Sequence, residues 1–471
     1  MSKRTVLAID LLDREKFIVR AVRAPFNIAG AQNPQSLPLL PADLPSLDTA
    51  AAVRARGTCI RDAMRQHAGV SKLLDRLGEA AQGELAPLFV MLPPSEAESI
   101  CWEVLCDGNG RFVALDRRWP ITRIIDPLSG SERPRSVLQL PVRLMAVVSA
   151  IGIDSQRKEW EQLRKAIVDA RAGGLEVAAK VLVGEHGLRA AIDQEIAAGL
   201  AGVEVGAIEE TSERLTQAIR QWKPNLLHFF CHGHADVNGQ RLELATANDY
   251  LQHAAGALPG DAGSVGVTIE ELEALGAELG DAWLMVLNCC SSGQAERGLQ
   301  SMAARIVSAG VPAVVAMMEP VDAHDAYEFT RAFYPAVFDV LKAASDELKQ
   351  KQDVVVEWAP AMYYARRAIS QLDGRDAESS HEWSLPVLYV RGIDARGFTR
   401  ADGASPAQLQ EYRVQADVTA KWLRTAGQQL DEAQRRDILE RVMAGVPRNL
   451  WPTADGRFDR ADGRFDRADD P

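Results

Sequence analysis

The second part of the chain, from residue 142 onward, alternates short apolar runs with amphipathic segments. The apolar runs predict strands and the amphipathic segments predict helices, because buried positions recur every two residues in a strand and about every 3.6 in a helix. Such alternation is typical of a parallel sheet with helices on its faces. In order, the pattern predicts strand 142–149, helix 157–171, strand 175–183, helix 187–199, strand 202–206, helix 212–222 and strand 225–231.

The same alternation continues to about residue 390. Thr268 and Glu271 have the spacing of a capping box and predict the start of a helix over 269–279. Gly310 is expected to end the next helix, because glycine readily adopts the backbone conformation found just past a helix. The remaining predicted elements are strand 283–289, helix 298–309, strand 311–317, helix 323–345, helix 358–372 and strand 386–390.

Residues before 142 predict a smaller α/β region. Two β-rich runs, 5–9 and 17–22, precede a segment over 49–83 that suits one or two helices. The apolar runs 85–92 and 100–105 are followed by a turn sequence, Asp-Gly-Asn-Gly, and together they predict a β-hairpin.

The pattern divides the chain into four regions. We expect an N-terminal α/β region over 1–140, the main α/β domain over 141–395 and a helical segment over 396–450. Within the helical segment, 405–445 is interpreted as an amphipathic packing helix, and the alternative is a region that recognises a partner or sensor. The tail, 451–471, repeats the sequence Ala-Asp-Gly-Arg-Phe-Asp-Arg and is predicted to be disordered.

Composition narrows the possible partners and the compartment. The 471 residues carry a net charge of −12, and the sequence shows no long basic stripe to meet a phosphate backbone, so nucleic acid is not expected as a direct partner. Six cysteines in a chain of this length do not make a disulfide framework, which indicates a reducing compartment. No apolar stretch reaches 18 residues and the start of the chain is charged, so we expect a cytoplasmic protein without a membrane anchor.

Reactive residues end two of the predicted strands. One strand runs into His232-Gly233, and another runs into Cys290, 58 residues later. Carboxyl ends of parallel strands meet at one edge of an open sheet, where ligands bind. An imidazole and a thiol there suit the base and nucleophile of a cysteine peptidase, and the backbone N–H groups of Gly233 and Cys290 suit its oxyanion site. The His-then-Cys order and spacing are typical of a caspase-like arrangement.

The strand period alone leaves alternatives open. His228 and His234 share a strand face with His232, and Cys289 competes with Cys290 as the nucleophile. Position at the strand ends favours His232 and Cys290. Five residues are also possible zinc ligands, namely Cys231, His232, His234, Cys289 and Cys290, but neither strand has the Cys-x-x-Cys or His-x-x-x-His spacing of a metal site. We therefore expect neither a metal nor another cofactor.

These motifs resemble those of the CHAT-domain cysteine peptidases, relatives of caspases and separase. The resemblance extends over about 85–395 and is carried by these segments: 226–234 (similar to LHFxxHG), 287–293 (LxxCxxG), 303–321, 329–334 (FxxxFY), 383–392, and upstream 101–105, 112–115 and 121–123 (PWExL followed by fL and an Arg). It implies a caspase-like, mostly parallel sheet and endopeptidase activity on a protein substrate, with His232 and Cys290 as the dyad.

The resemblance also implies partners and a setting. The substrate is expected to be a protein, encoded for example by a neighbouring gene, and an activating partner protein is in keeping with the family. Bacterial defence or programmed cell death, for example by processing of a gasdermin-like pore former, is the role implied. The alternative is an inactive CHAT scaffold that binds partner proteins.

Two segments near the motifs have open interpretations. Glu319 and Asp322 follow the strand after the nucleophile and would favour a basic P1 side chain, although Asp322 is equally suited to cap the helix that follows. The segment 245–267, between base and nucleophile, is either a surface connector or, by analogy with the family, a lid or a cleavable activation loop.

Overall fold

The computed structural model describes most of the chain, in the following ranges: 4–13, 16–47, 49–78, 85–92, 96–125, 136–153, 155–236, 239–257, 263–291, 298–319, 321–351, 353–378, 380–392, 397–399, 406–443, 446 and 451–453. The predicted disordered repeats at 454–467 lie outside these residues. Cα packing groups the chain into two units. Unit 1 comprises Met1–Ser136, Leu140–Asp346 and Val355–Phe398, and unit 2 comprises Val137–Gln139, Glu347–Val354 and Thr399–Pro471.

The strands are numbered in chain order. They are β1 (Thr5–Asp13), β2 (Lys16–Arg23), β3 (Gln35–Leu37), β4 (Leu88–Met91), β5 (Ile121–Ile125), β6 (Ser136–Val137), β7 (Val142–Ser149), β8 (Val177–Val183), β9 (Val203–Ala207), β10 (Leu226–Asp236), β11 (Gly239–Leu244), β12 (Val265–Thr268), β13 (Leu284–Ser291), β14 (Ala313–Met317), β15 (Asp353–Val355), β16 (Pro386–Arg391) and β17 (Gly397–Thr399).

The helices are numbered in the same way. They are α1 (Ala50–Arg65), α2 (Ala68–Gly78), α3 (Gln156–Ala172), α4 (His186–Ala197), α5 (Ser212–Trp222), α6 (Ala247–Ala254), α7 (Ile269–Glu278), α8 (Gly298–Ala309), α9 (Ala323–Leu348), α10 (Ala359–Ser370), α11 (Pro406–Thr425) and α12 (Glu432–Val442).

A 14-stranded sheet in the described part of unit 1 has the main order β3-β2-β1-β4-β5-β16-β14-β13-β10-β7-β8-β9. The pairing is parallel from β14 through β9 and from β1 through β4 and β5 to β16. It is antiparallel between β1 and β2, β2 and β3, and β14 and β16. The sheet is therefore mostly parallel, which confirms the predicted α/β class.

Local sequence signals account for several element boundaries. Thr268 and Glu271 form the predicted capping box of α7, in which each side chain accepts from the other's backbone N–H. Gly310 ends α8 with a φ of 136°, a left-handed conformation that favours glycine. The alternation from β7 to β14 follows the predicted elements to within a few residues, because each helix buries a regular apolar stripe.

The predicted strand over 100–105 is wrong, although the turn after it is present, with Cys106 and Phe112 in an antiparallel bridge around it. Leu88–Met91 is the strand β4, but Trp102–Val104 is a 3₁₀ helix. The carbonyls of Glu98 and Ile100 accept hydrogen bonds from the buried guanidinium of Arg123, at 2.7 and 2.9 Å. Within the run, Arg123 thus satisfies the Ile100 carbonyl, while Leu105 N–H donates to the Trp102 carbonyl and the Leu105 carbonyl accepts from Val113 N–H.

Two further differences concern the region between the base and nucleophile candidates. β10 does not stop at His232-Gly233 but continues to Asp236, because β11 pairs with it in antiparallel fashion. The segment 245–267 contains helix α6 and most of β12, so it is not simply a surface connector. Residues 258–262 of that segment lie outside the described residues.

Unit 2 has an apolar cluster of its own in its helical part. Ala416 and Leu423 of α11 pack with Leu439 of α12 and with Met443 and Val446 beyond it. The Gln415 amide donates to the carbonyl of Val442 at 2.6 Å, which joins the two helices. The predicted helical character of this region is thus observed as a helical pair.

Candidate active site

The arrangement of strands fixes where a ligand would bind. From β9 to β14 the order is β9-β8-β7-β10-β13-β14, so the chain leaves β7 in one direction and β10 in the other. In open α/β sheets, the crevice at such a switch point, beyond the carboxyl ends of the strands, is the usual ligand site. The carboxyl ends of β7 and β10 meet there, and His232 lies on β10 just past the last pair with β7.

The His232 ring is buried and oriented by a backbone carbonyl. Only 7% of the residue is exposed, and Nε2 lies 2.8 Å from the carbonyl oxygen of Ile151, just after β7. A carbonyl can only accept, so Nε2 carries the hydrogen, and in a neutral ring Nδ1 then holds the free lone pair. Nδ1 has no hydrogen-bond partner among the described residues. His232 therefore has the tautomer and the free nitrogen of a base.

Strand register brings the two candidate residues side by side. His232 pairs in parallel register with Cys290 of β13, and adjacent strands lie about 4.8 Å apart. In-register positions on neighbouring strands share a face, so positions 232 and 290 lie on the same one. The structure describes the backbone of Cys290, and its thiol lies outside the described atoms.

The alternative nucleophile lies on the other face. Cys289 pairs in register with Cys231, and their Sγ atoms are 3.8 Å apart in the interior, where both residues are fully buried. Successive residues of a strand point to opposite faces, so Cys289 faces away from the His232 ring. This observation favours Cys290 as the partner of His232.

The other two histidines have different surroundings. His228 is fully buried, with Nε2 2.8 Å from Oε1 of Glu159, and its ring meets the Tyr334 ring edge to face. His234 lies beyond Gly233, the last β10 residue that pairs with β13, and its Nδ1 is 3.8 Å from Glu243. Neither histidine has the in-register relation to Cys290 that His232 has.

Gly233 sits inside the sheet rather than past its edge. It pairs with Ser291 of β13 on one side and with Leu242 of β11 on the other. The sequence predicts that the N–H groups of Gly233 and Cys290 form an oxyanion site. That role for the N–H groups of Gly233 and Cys290 stays a prediction.

The predicted acidic residues follow β14 at the same edge of the sheet. The Glu319 side chain is 39% exposed and lies 3.1 Å from Nε2 of His381. Oδ1 of Asp322 accepts from the backbone N–H of His324 at 2.7 Å, in the first turn of α9. Asp322 thus acts as an exposed helix cap, whereas Glu319 is partly exposed and bonded to His381.

Several residues that support the site were not identified from the sequence. Glu159, Asn288 and Thr330 form a fully buried polar cluster on the His232 face of the sheet, and Gln156 bonds the loop that carries Ile151. Asn288, two residues before Cys290, was the available signal, because an amide in an apolar strand requires buried partners. Its partners are distant in sequence, so periodicity gave no indication of them.

The described residues contain no group of three His, Cys, Asp or Glu side chains placed to hold a metal ion. No described helix combines the length and apolar character needed to cross a membrane.

Comparison with known proteins gives one family match. The model of the CHAT domain matches residues 67–391. The solved structure of the Saccharomyces cerevisiae separase–securin complex is similar at 11% identity and a TM-score of 0.32, over 71% of this chain and 17% of that chain. This chain thus spans less than a fifth of the length of the chain it matches there. A search of the curated proteins found no match.

Proposed function

Since the chain belongs to the CHAT domain family, we propose that it is a cysteine endopeptidase in which His232 is the base and Cys290 the nucleophile. The observation that carries this proposal is the parallel register of positions 232 and 290, next to an imidazole whose Nε2 is held by the Ile151 carbonyl. A base needs a fixed ring and a free nitrogen within reach of the proton that it takes.

The proposed reaction uses the two nitrogens of His232 differently. Nδ1 takes the proton of the Cys290 thiol, while Nε2–H stays bonded to the Ile151 carbonyl and helps to hold the resulting imidazolium. The thiolate attacks the scissile carbonyl carbon, and the imidazolium protonates the leaving amine as the C–N bond breaks. Water then attacks the thioester after giving a proton to Nδ1, which releases the acid and restores the thiol.

Paired substitutions test the nucleophile. Cys290→Ala is expected to abolish cleavage of the protein itself or of a protein encoded beside it, whereas Cys289→Ala is expected to retain cleavage, because Cys289 packs against Cys231 on the opposite face. The measurement is product formation by mass spectrometry with purified protein. Activity that survives Cys290→Ala and disappears in Cys289→Ala would reverse the assignment. A wild-type protein that cleaves no candidate and reacts with no acyl-peptide thiol probe supports the inactive scaffold.

We further propose that Glu319 favours a basic P1 side chain. It is partly exposed at the edge of the sheet that also holds position 290, and a carboxylate binds Arg or Lys through charge-assisted hydrogen bonds. A peptide library varied at P1 should show a preference for Arg or Lys that Glu319→Gln reduces by about tenfold or more. Glu213→Gln, an exposed carboxylate on α5, is the control. An unchanged P1 profile in Glu319→Gln would remove this proposal.

The wider role is proposed from the family alone. A protein substrate encoded nearby, an activating partner and a function in defence or programmed cell death agree with the CHAT assignment. Coexpression of the chain with each neighbouring gene, followed by detection of cleavage and of cell death, tests this role.

A further inference from the structure

One turn of α3 places two polar side chains, Gln156 and Glu159, beneath the site. Gln156 is 4% exposed and Glu159 is fully buried. Their hydrogen bonds run to different parts of the site, one to the loop that orients His232 and the other to the strand that carries Cys290.

The first connection passes through Gln156. Its amide donates to the carbonyls of Ala150 and Ile153, at 3.0 and 3.4 Å, which lie on either side of Ile151. Tyr250 of α6 completes this arrangement: its hydroxyl donates to Oε1 of Gln156 at 2.7 Å and accepts from the backbone N–H of Ala150 at 3.1 Å. The carbonyl that holds the His232 ring therefore belongs to a loop fixed on both sides.

The second connection passes through Glu159. Its Oε1 accepts from Thr330 of α9 at 2.6 Å and from Asn288 of β13 at 3.1 Å. The Asn288 amide also donates to the carbonyl of Ala326 at 3.0 Å and lies 3.2 Å from the Thr330 hydroxyl. His228 of β10 approaches the same carboxylate oxygen at 2.8 Å. The strand that carries Cys290 is thus hydrogen-bonded to this buried carboxylate, and the His228 ring of the neighbouring strand lies against it without a hydrogen bond.

We propose that Gln156 and Glu159 are positioning residues, Gln156 for the imidazole of His232 and Glu159 for the backbone around Cys290. This proposal rests on the function proposed above. Buried hydrogen bonds fix the orientation of a side chain more narrowly than apolar packing does. A displacement of about 1 Å at a reacting group costs about 10²-fold in rate. A buried cluster with no role in positioning would contribute to stability and leave turnover unchanged.

Two substitutions that remove single hydroxyls test the two connections without large changes in volume. Tyr250→Phe removes both hydrogen bonds of the Tyr250 hydroxyl, and Thr330→Val removes the donor to Glu159. Each is expected to lower kcat by about tenfold or more while KM changes less than about twofold. Thr330→Ser keeps the hydroxyl and should restore most of kcat.

Matched controls separate positioning from stability. Tyr363→Phe on α10 is the same chemical change away from the site, and Leu287→Val alters a fully buried β13 side chain on the face opposite to position 290. Both are expected to leave kcat unchanged. Urea unfolding of all five variants shows which losses of stability accompany each change.

A second readout does not depend on the substrate. The rate at which iodoacetamide alkylates Cys290, followed by peptide mass spectrometry between pH 5 and 9, reports how readily the thiolate forms. Tyr250→Phe and Thr330→Val should slow it at neutral pH by about tenfold, as should His232→Ala, whereas the controls should match wild type. If the chain cleaves no substrate, the alkylation rate still tests whether Gln156 and Glu159 are positioning residues. Unchanged kcat and alkylation in both test variants, or equal losses in the controls, would overturn the inference.

Discussion

At the scale of single residues, burial sets properties that the amino-acid type alone does not reveal. Glu98 is mostly buried in the segment that connects β4 to β5. Desolvation raises its pKa to about 7, although the nearby Arg123 charge opposes the rise. The sequence favours His232 and Cys290 as the dyad because both residues lie at the ends of predicted strands. It could not predict the ring tautomer, because the deciding carbonyl, that of Ile151, lies on another strand's loop.

The pKa of Glu98 predicts a pH-dependent contribution to stability. The folded protein holds this proton more tightly than the unfolded chain does, so the free energy of unfolding falls as the pH rises from the unfolded pKa of 4.5 through about 7. Glu98→Gln removes the titration, and its stability relative to wild type should rise by about 3 kcal/mol at most between pH 4.5 and 8.5. Urea unfolding at both pH values measures this difference. Glu213→Gln, the same change at an exposed site, is the control, and an equal trend in both variants would contradict the assignment.

At the scale of elements, contacts between residues distant in sequence determine the structure of segments for which the local pattern is ambiguous. The helices and strands from β7 to β14 followed from periodicity, because each presents a regular apolar face. The run at 100–105 is equally apolar, yet it forms a 3₁₀ turn around Arg123 of β5. The continuation of β10 past His232 depends on pairing with β11, which no pattern within β10 indicates.

Arg123 joins that turn to the sheet through a buried ion pair. Its guanidinium contacts Glu103 at 2.9 and 3.2 Å, both residues are fully buried, and Arg366 lies 3.9 Å from the same carboxylate. Arg123→Met should lower the free energy of unfolding by about 3–5 kcal/mol, because it leaves a buried carboxylate without its closest partner. Arg118→Met, which breaks a partly exposed pair with Asp116, should cost less than about 1 kcal/mol. Chemical denaturation compares the two, and similar losses would argue against a dominant role for burial.

At the scale of the whole molecule, the sheet and the helical pair belong to different units. Every strand of the 14-stranded sheet lies in unit 1, whereas α11 and α12 form a cluster within unit 2. The sequence predicted both the α/β region and the helical region after it. The predicted boundaries at 140, 395 and 450 stay predictions.

This division predicts the effect of shortening the chain. A protein ended after Thr399 should keep the thermal unfolding of unit 1 and the alkylation rate of Cys290, because the sheet retains all its strands. In the full chain, Leu423→Ala should destabilise the helical pair by about 2–5 kcal/mol and leave that rate unchanged. Circular dichroism and alkylation kinetics measure both. Loss of the folded sheet in the shortened protein would show that the units are not independent.

The register between β10 and β13 also constrains how such a protein can be controlled. Positions 232 and 290 follow strand segments that are paired on both sides, because β10 pairs with β7 and β13 up to Cys231 and β13 pairs with β10 and β14 over 285–287. Central strands of this kind open only in large unfolding events, so their amide hydrogens should be among the last to exchange with solvent. A signal that separated the paired segments before these positions would have to disrupt the centre of the sheet. Control that is reversible on the time scale of a cell must instead act on what can reach the crevice.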